Sequence, residues 1–270
     1  MPELPEIEVT RLGFASQIPG ATIHSVCLGK PLRWPLGVDA AFLVGQNVHQ
    51  VRRRGKYLLL DLDHGLLLIH LGMSGRLVFG ANLPERNKHD HFEMQTTHGL
   101  LRLHDPRRFG AVVWSAAEDS GMAQKLLQGL GMEPLAETFN VGRFVSEVKK
   151  HKAAIKQVLM SGRIVVGVGN IYANEALFLS GVNPRISACK ISQKRLTLLA
   201  GHIQALLAQA IALGGTTLKD FRNPAGWHGL FQNRVQVYGR GGEPCVVCGH
   251  EIRSVRLGQR STFFCSHCQK

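Results

Sequence analysis

Short apolar or alternating runs, broken by Gly, Asp, Pro and Asn, fill the first half of the chain and predict strands over 21–28, 47–53, 57–62, 66–71, 76–79, 91–95, 100–104 and 111–114. So many short strands at this spacing imply a sandwich or barrel. Ahead of them, Pro5 suits a first helical turn, and Glu6 and Glu8 complement its positive pole, so an amphipathic helix is expected to run to about Ala15 and close the barrel. A helical segment near 116–130 then leads to Gly131-Met132-Glu133-Pro134-Leu135, where the strand pattern stops and a domain boundary is expected.

From Asn140 onward the period is helical. Ser192 can cap a helix whose apolar positions Leu196, Leu199, Ala200, Ile203, Leu206, Leu207, Ala210 and Ile211 form one core stripe, with Gly214 and Gly215 ending it. Gly167-Val168-Gly169-Asn170-Ile171-Tyr172 is a glycine turn between helical stretches. Such a turn is either an ordinary tight connection or a nest of outward backbone N–H groups that binds phosphate.

Two features change this picture from architecture to chemistry. Cys245-x2-Cys248 and Cys265-x2-Cys268 are separated by sixteen residues, the spacing of two knuckles holding one structural zinc ion on a β-hairpin. Four thiolates leave no open position, which argues against catalytic zinc. Cys27 and Cys189 have no partner spacing and read as buried thiols. The second feature is Pro2. It has no role in the helix, but removal of Met1 would leave it as a secondary amine beside Glu3. An α-amino group titrates at roughly 7.7 to 8.0, so part of it is an uncharged nucleophile near neutrality, able to form an iminium with a carbonyl-like carbon. A plain helix cap is the other reading of the same residues.

Charge then selects a partner. The net charge is +13, with 14 Lys and Arg against 13 Asp and Glu in residues 1–133, and 18 against 6 in residues 134–270. An excess concentrated in one half points to a polyanion, with nucleic acid favoured over a membrane surface because no single amphipathic helix gathers the basic residues. The 270 residues, 44% apolar, suffice for one large or two modest cores plus a small appendage. Neither a leader pattern nor an apolar run near the roughly 20 residues of a membrane span is visible, so a cytoplasmic, nucleoid-associated location is expected.

A nucleophilic N-terminal proline, a glycine turn in a basic region and an arginine-bearing zinc hairpin together resemble the formamidopyrimidine-DNA glycosylase family. The resemblance runs through Met-Pro-Glu-Leu-Pro-Glu at 1–6, Arg-Arg-Arg-Gly-Lys-Tyr-Leu-Leu-Leu at 52–60, His-Leu-Gly-Met-Ser-Gly at 70–75 and Asp-Pro-Arg-Arg-Phe-Gly at 105–110. It continues through Val-Gly-Val-Gly-Asn-Ile-Tyr-Ala at 166–173, Gly-Gly-Thr-Thr-Leu-Lys-Asp-Phe at 214–221 and Val-Tyr-Gly-Arg at 237–240.

The resemblance implies an α+β protein: a catalytic β-sandwich with an N-terminal helix (1–133), a helix-two-turn-helix domain with a lesion-capping loop (134–234), and a zinc-ribbon β-hairpin (235–270). It implies excision of oxidised purines such as 8-oxoguanine and formamidopyrimidines from double-stranded DNA, then β,δ-elimination, by a monomer with one structural zinc. By matching position Pro2 is the nucleophile and Glu3 the acid/base, Lys56 contacts phosphate near the lesion, and Met73, Arg107 and Phe109 fill the hole left by the extruded base. His70, Asn170, Tyr238 and Arg260 match positions that hold the kinked backbone, with Tyr238 on a Val-Tyr-Gly-Arg strand.

The chain departs from the family pattern at Arg222 to Gln232, the stretch that closes on the flipped base. Trp227 stands where many members carry lysine, which predicts stacking in place of a charge and a broader lesion range. Two alternatives remain: an endonuclease VIII-like enzyme for oxidised pyrimidines, disfavoured by Leu4 and by 105–109, and a non-catalytic damage-binding protein on the same scaffold, disfavoured by the intact Pro2, Glu3 and wedge.

Overall fold

The computed structural model describes residues 2–216 and 229–270, which divide into two compact units. The first takes in the chain as far as Gly129, together with the described residues of Leu213–Leu230. The second comprises Leu130–Ala212 and Phe231–Lys270.

In the first unit, helix α1 (Leu4–Leu12) precedes strands β1 (Ile23–Leu28), β2 (Val48–Arg54), β3 (Tyr57–Leu62), β4 (Leu66–His70), β5 (Arg76–Gly80), β6 (Asp90–Thr96), β7 (Gly99–His104) and β8 (Ala111–Ser115). They form two antiparallel four-stranded sheets, ordered β1-β6-β7-β5 and β2-β3-β4-β8. Side-chain alternation decides the packing. Phe92 and Met94 of β6 enter the core with Leu101 and Leu103 of β7, and meet Leu58 and Leu60 of β3 and Leu67 and Ile69 of β4. Ile7 and Phe14 join the same cluster, so α1 packs onto the sandwich through its apolar side. Helix α1 is shorter than its periodicity predicts: it ends at Leu12, and Gly13 begins a run of turns in which Ala15 still donates its amide to the Arg11 carbonyl at 2.8 Å. Helix α2 (Gly121–Leu127) also starts later than expected, because Ser120 Oγ accepts the Ala117 amide at 3.0 Å and folds 117–120 into a turn.

The second unit contains α3 (Val141–Lys149), α4 (Ile155–Met160), α5 (Asn170–Leu179), the 20-residue α6 (Gln193–Ala212) and the hairpin β9 (Ile252–Leu257) and β10 (Arg260–Cys265). Ser192 begins α6, its carbonyl accepting the Leu196 amide at 3.1 Å, and the stripe from Leu196 to Ala210 is buried. Ile211, expected in that stripe, is only partly buried. The Val-Tyr-Gly-Arg segment is a turn rather than a strand. The Val237 and Tyr238 amides that a sheet ladder would need are committed to the Glu175 carboxylate of α5. Cys27, expected to be buried, is exposed on β1. No described helix is long and apolar enough to cross a membrane.

Candidate active site and DNA interface

Pro2 and Glu3 are both buried at the start of α1. The Glu3 amide donates to Glu6 Oε2 at 2.8 Å, and the other Glu6 oxygen accepts the Thr216 amide at 2.8 Å. Glu6 is fully buried, so its carboxylate ties two chain segments of the first unit together beneath the terminal residues. Gly215, at φ +81°, makes the approach possible: a Cβ there would lie 3.2 Å from Glu6 Oε1. The positive pole of α1 favours an incoming anion at its first residues.

Lys56 lies on the two-residue Gly55-Lys56 turn between β2 and β3, and Tyr57 is paired across the sheet with His70. The His70 ring accepts the Gly72 amide at Nδ1 (3.1 Å), which places its proton on Nε2 as an available donor. Burial, reinforced by the positive charges of Lys56 and Arg33, pushes its pKa down to about 4, so the ring is neutral at pH 7.

The turn after β4 abuts the segment 105–110. Gly72 has φ +61°, and a Cβ on it would lie 2.4 Å from the Phe109 carbonyl carbon. Buried Asp105 braces the contact, accepting Ser74 Oγ and the Gly110 amide, each at 2.7 Å. Met73 follows Gly72 and is half-buried, while Phe109 is 44% exposed with the Arg107 guanidinium 4.9 Å from its ring centroid. An exposed aromatic braced by a buried carboxylate is built to meet something outside the chain.

In the second unit, Gly167 has φ +81° and Asn170 is the first residue of α5, its Oδ1 buried with no hydrogen-bond partner among the described residues. Two further residues of α5, which the sequence reading missed, organise its surroundings. Asn174 Oδ1 accepts the Phe263 amide of β10 at 2.9 Å, and Glu175 accepts the amides of Gln236, Val237 and Tyr238 at 2.8, 3.0 and 2.8 Å. The only signal for them was polarity within an otherwise apolar helix. Buried Lys156 of α4 was missed as well: its Nζ donates to Thr262 Oγ1 at 2.7 Å and to the Ser261 carbonyl at 2.8 Å, pinning β10. Tyr238 packs 5.4 Å from Phe263, and Arg260 is exposed at the start of β10. Trp227 lies outside the described residues.

The sulfurs of Cys245, Cys248, Cys265 and Cys268 all lie within 4.8 Å of one another. Tetrahedral thiolate coordination at a Zn–S distance of about 2.3 Å needs sulfurs roughly 3.8 Å apart. The Cys248–Cys265 and Cys245–Cys268 separations of 3.4 and 3.9 Å match that, so the residues fit one structural zinc ion.

Three family models match the chain: the formamidopyrimidine-DNA glycosylase N-terminal domain over residues 1–112, the formamidopyrimidine-DNA glycosylase H2TH domain over 130–222, and the zinc finger found in FPG and IleRS over 242–270. A formamidopyrimidine-DNA glycosylase of Albidiferax ferrireducens is 59% identical over 270 residues, covering 100% of both chains. The crystal structure of the FPG protein of Thermus thermophilus superposes with a TM-score of 0.89 at 36% identity, covering 99% of this chain and 98% of that one. A Lactococcus lactis FPG variant in complex with Fapy-dG-containing DNA gives a TM-score of 0.91 at 33% identity, covering 100% of both chains.

Proposed function

Because the chain belongs to the formamidopyrimidine-DNA glycosylase family, we propose that it is a base-excision repair enzyme, a DNA glycosylase and AP lyase that removes oxidised purines from double-stranded DNA. The observation that carries the mechanism is the buried Pro2-Glu3 pair held at the pole of α1 by the Glu6 clasp. With Met1 removed, the Pro2 nitrogen attacks C1′ of the extruded nucleotide. The C1′–N9 bond breaks, its electron pair leaves with the base, and the base takes up a proton. Opening of the sugar ring with a proton delivered by Glu3 yields the iminium. Loss of a C2′ proton then expels the 3′ phosphate, and a second elimination expels the 5′ phosphate.

The remaining assignments follow from chemistry and position. Lys56 and the His70 Nε2–H suit phosphate oxygens, a point charge and a neutral donor side by side. Met73 and Phe109 replace lost stacking, and Arg107 hydrogen-bonds the widowed cytosine. Asn170, Tyr238 and Arg260 grip the backbone from the helical and zinc-bearing parts. Zinc, when bound, fixes the hairpin that carries Arg260 and takes no part in the reaction. Segments 1–133, 134–234 and 235–270 act as catalytic, helix-two-turn-helix and zinc-ribbon parts. The enzyme works as a cytoplasmic, nucleoid-associated monomer, and Trp227 sets lesion range.

Duplexes carrying a single 8-oxoguanine, a formamidopyrimidine or an oxidised pyrimidine test this reading. Base release with strand scission should be fastest on the two purine lesions. Preference for the pyrimidine would favour the endonuclease VIII-like alternative, and binding with no scission of any duplex would favour a damage-binding protein.

A further inference from the structure

Residues 148–216 hold nine Lys and Arg against one acid, Glu175, whose buried carboxylate is taken up by three backbone amides. The positive charge of this stretch therefore has no counterpart within it. Part of that charge lies away from the residues assigned above to DNA. Asn170 starts α5 and Val182 follows its other end, so the ten residues of the helix put about 15 Å between them.

At Val182 is a cavity of about 250 Å³, lined by Val182, Ile186 and Ile191 and by Lys190, Arg195 and Lys270. The three aliphatic side chains are buried or half-buried and the three cations are exposed, so an apolar floor carries a cationic rim that an incoming molecule can reach. The cavity is smaller than the roughly 300–1,000 Å³ of small-molecule sites, and it suits one large side chain rather than a whole ligand.

The rim is held in place. The Lys270 amide donates to the Gly181 carbonyl at 3.1 Å, and the Lys270 backbone oxygen accepts the Asn183 amide at 3.3 Å and Arg195 Nη1 at 3.0 Å. Lys149 Nζ donates to the Cys189 carbonyl at 2.9 Å, and Ser187 Oγ to the Lys152 carbonyl at 2.7 Å. These bonds tie the segment bearing Lys190 to the one bearing the exposed Lys152. Walls formed in advance lower the ordering cost of binding.

Two classes of polyanion suit a cationic rim. A DNA backbone is neutralised by cations alone and gains nothing from Val182, Ile186 and Ile191, whereas a peptide brings carboxylates and an apolar side chain together. We propose that this surface docks an acidic segment of a partner protein. One bulky apolar residue of that segment sits in the cavity, and its flanking carboxylates face Lys190, Arg195 and Lys270.

The probe is the peptide Gly-Asp-Glu-Asp-Phe-Asp-Glu-Gly, titrated into ¹⁵N-labelled, zinc-loaded full-length protein. It should give saturable amide shifts at Gly181, Lys190 and Ile191 with a Kd on the order of 100 μM, and the same Kd when a duplex with an uncleavable abasic analogue is already bound. Replacing the peptide's Phe by Ala should weaken binding about ten-fold, as should Lys190→Glu in the protein, which leaves cleavage of lesion DNA unchanged. Absence of saturable shifts up to about 1 mM would overturn the proposal. So would equal affinity for the Phe and Ala peptides, unchanged binding by Lys190→Glu, or displacement of the peptide by the duplex. Weaker duplex binding in Lys190→Glu, with no binding of the peptide to wild type, would assign the surface to DNA instead.

Discussion

Glu175 offers the sharpest test of how the second unit is held. Its Oε2 accepts the Gln236 amide at 2.8 Å, and its Oε1 accepts Val237 at 3.0 Å and Tyr238 at 2.8 Å. In Glu175→Gln the amide oxygen can keep the Val237 and Tyr238 bonds, but the NH2 group then faces the Gln236 N–H, donor against donor. One charge-assisted bond is lost and a buried amide is orphaned, a cost of about 2 kcal/mol after allowing for the charge no longer buried. Glu175→Ala orphans all three amides and should cost about 3–5 kcal/mol. At roughly 2–4 °C per kcal/mol, the Gln variant should melt about 4–8 °C below wild type, and the Ala variant lower still. Urea and thermal unfolding of zinc-loaded protein measure this. Binding to a duplex with an uncleavable abasic analogue should weaken about ten-fold in the Ala variant, in which the Tyr238 amide loses its acceptor. A Gln variant within about 0.5 kcal/mol of wild type, or an Ala variant no worse than Gln, would refute the reasoning.

Other expectations follow from the same geometry. The folded pKa of His70, about 4, lies below its unfolded value, so the unfolded chain takes up a proton first; stability should fall as pH drops from about 6.5 to 4, by roughly 2–3 kcal/mol from this residue. His70→Gln should remove that slope, as read by urea unfolding across the range, and an unchanged slope would count against a buried neutral ring. Gly72→Ala sets a Cβ at 2.4 Å from Phe109 and should cost about 2 kcal/mol or more, lowering the rate on a paired lesion more than on single-stranded DNA; equal rate losses would dissociate this turn from base extrusion. Chelation of zinc should release the hairpin and abolish tight duplex binding, with recovery on adding zinc back; retained binding after verified metal loss would contradict a structural role.

Much of this was legible in the sequence because its causes are local. The strands of the sandwich are legible as short apolar or alternating runs between turn residues, and the Ser192 cap and apolar stripe mark α6 within a residue. The zinc cluster is legible because its knuckles have fixed spacing. What stayed hidden depends on contacts distant along the chain. The Val-Tyr-Gly-Arg segment has strand-like residues, but Glu175 takes its amides across more than sixty positions. The Glu6–Thr216 clasp joins residues 210 apart, and Lys156 reaches Thr262 across 106. No pattern in a local window encodes such pairs. The wedge is an intermediate case: resemblance picked out Met73, Arg107 and Phe109, while the packing of the Gly72 turn on the segment 105–110, allowed by the missing Cβ of Gly72 and braced by Asp105, appears only in three dimensions.

The central claim is covalent catalysis by Pro2. Purified, zinc-loaded protein with Met1 shown by mass spectrometry to be absent should be incubated with a duplex carrying 8-oxoguanine opposite cytosine and treated with borohydride, in parallel with Pro2→Gly. The account predicts a reduced protein–DNA adduct on a denaturing gel whose peptide map places the DNA on Pro2, and loss of that Pro2-linked adduct in the variant. No adduct from protein that binds and cleaves the duplex, or an adduct mapped to a lysine, would contradict it.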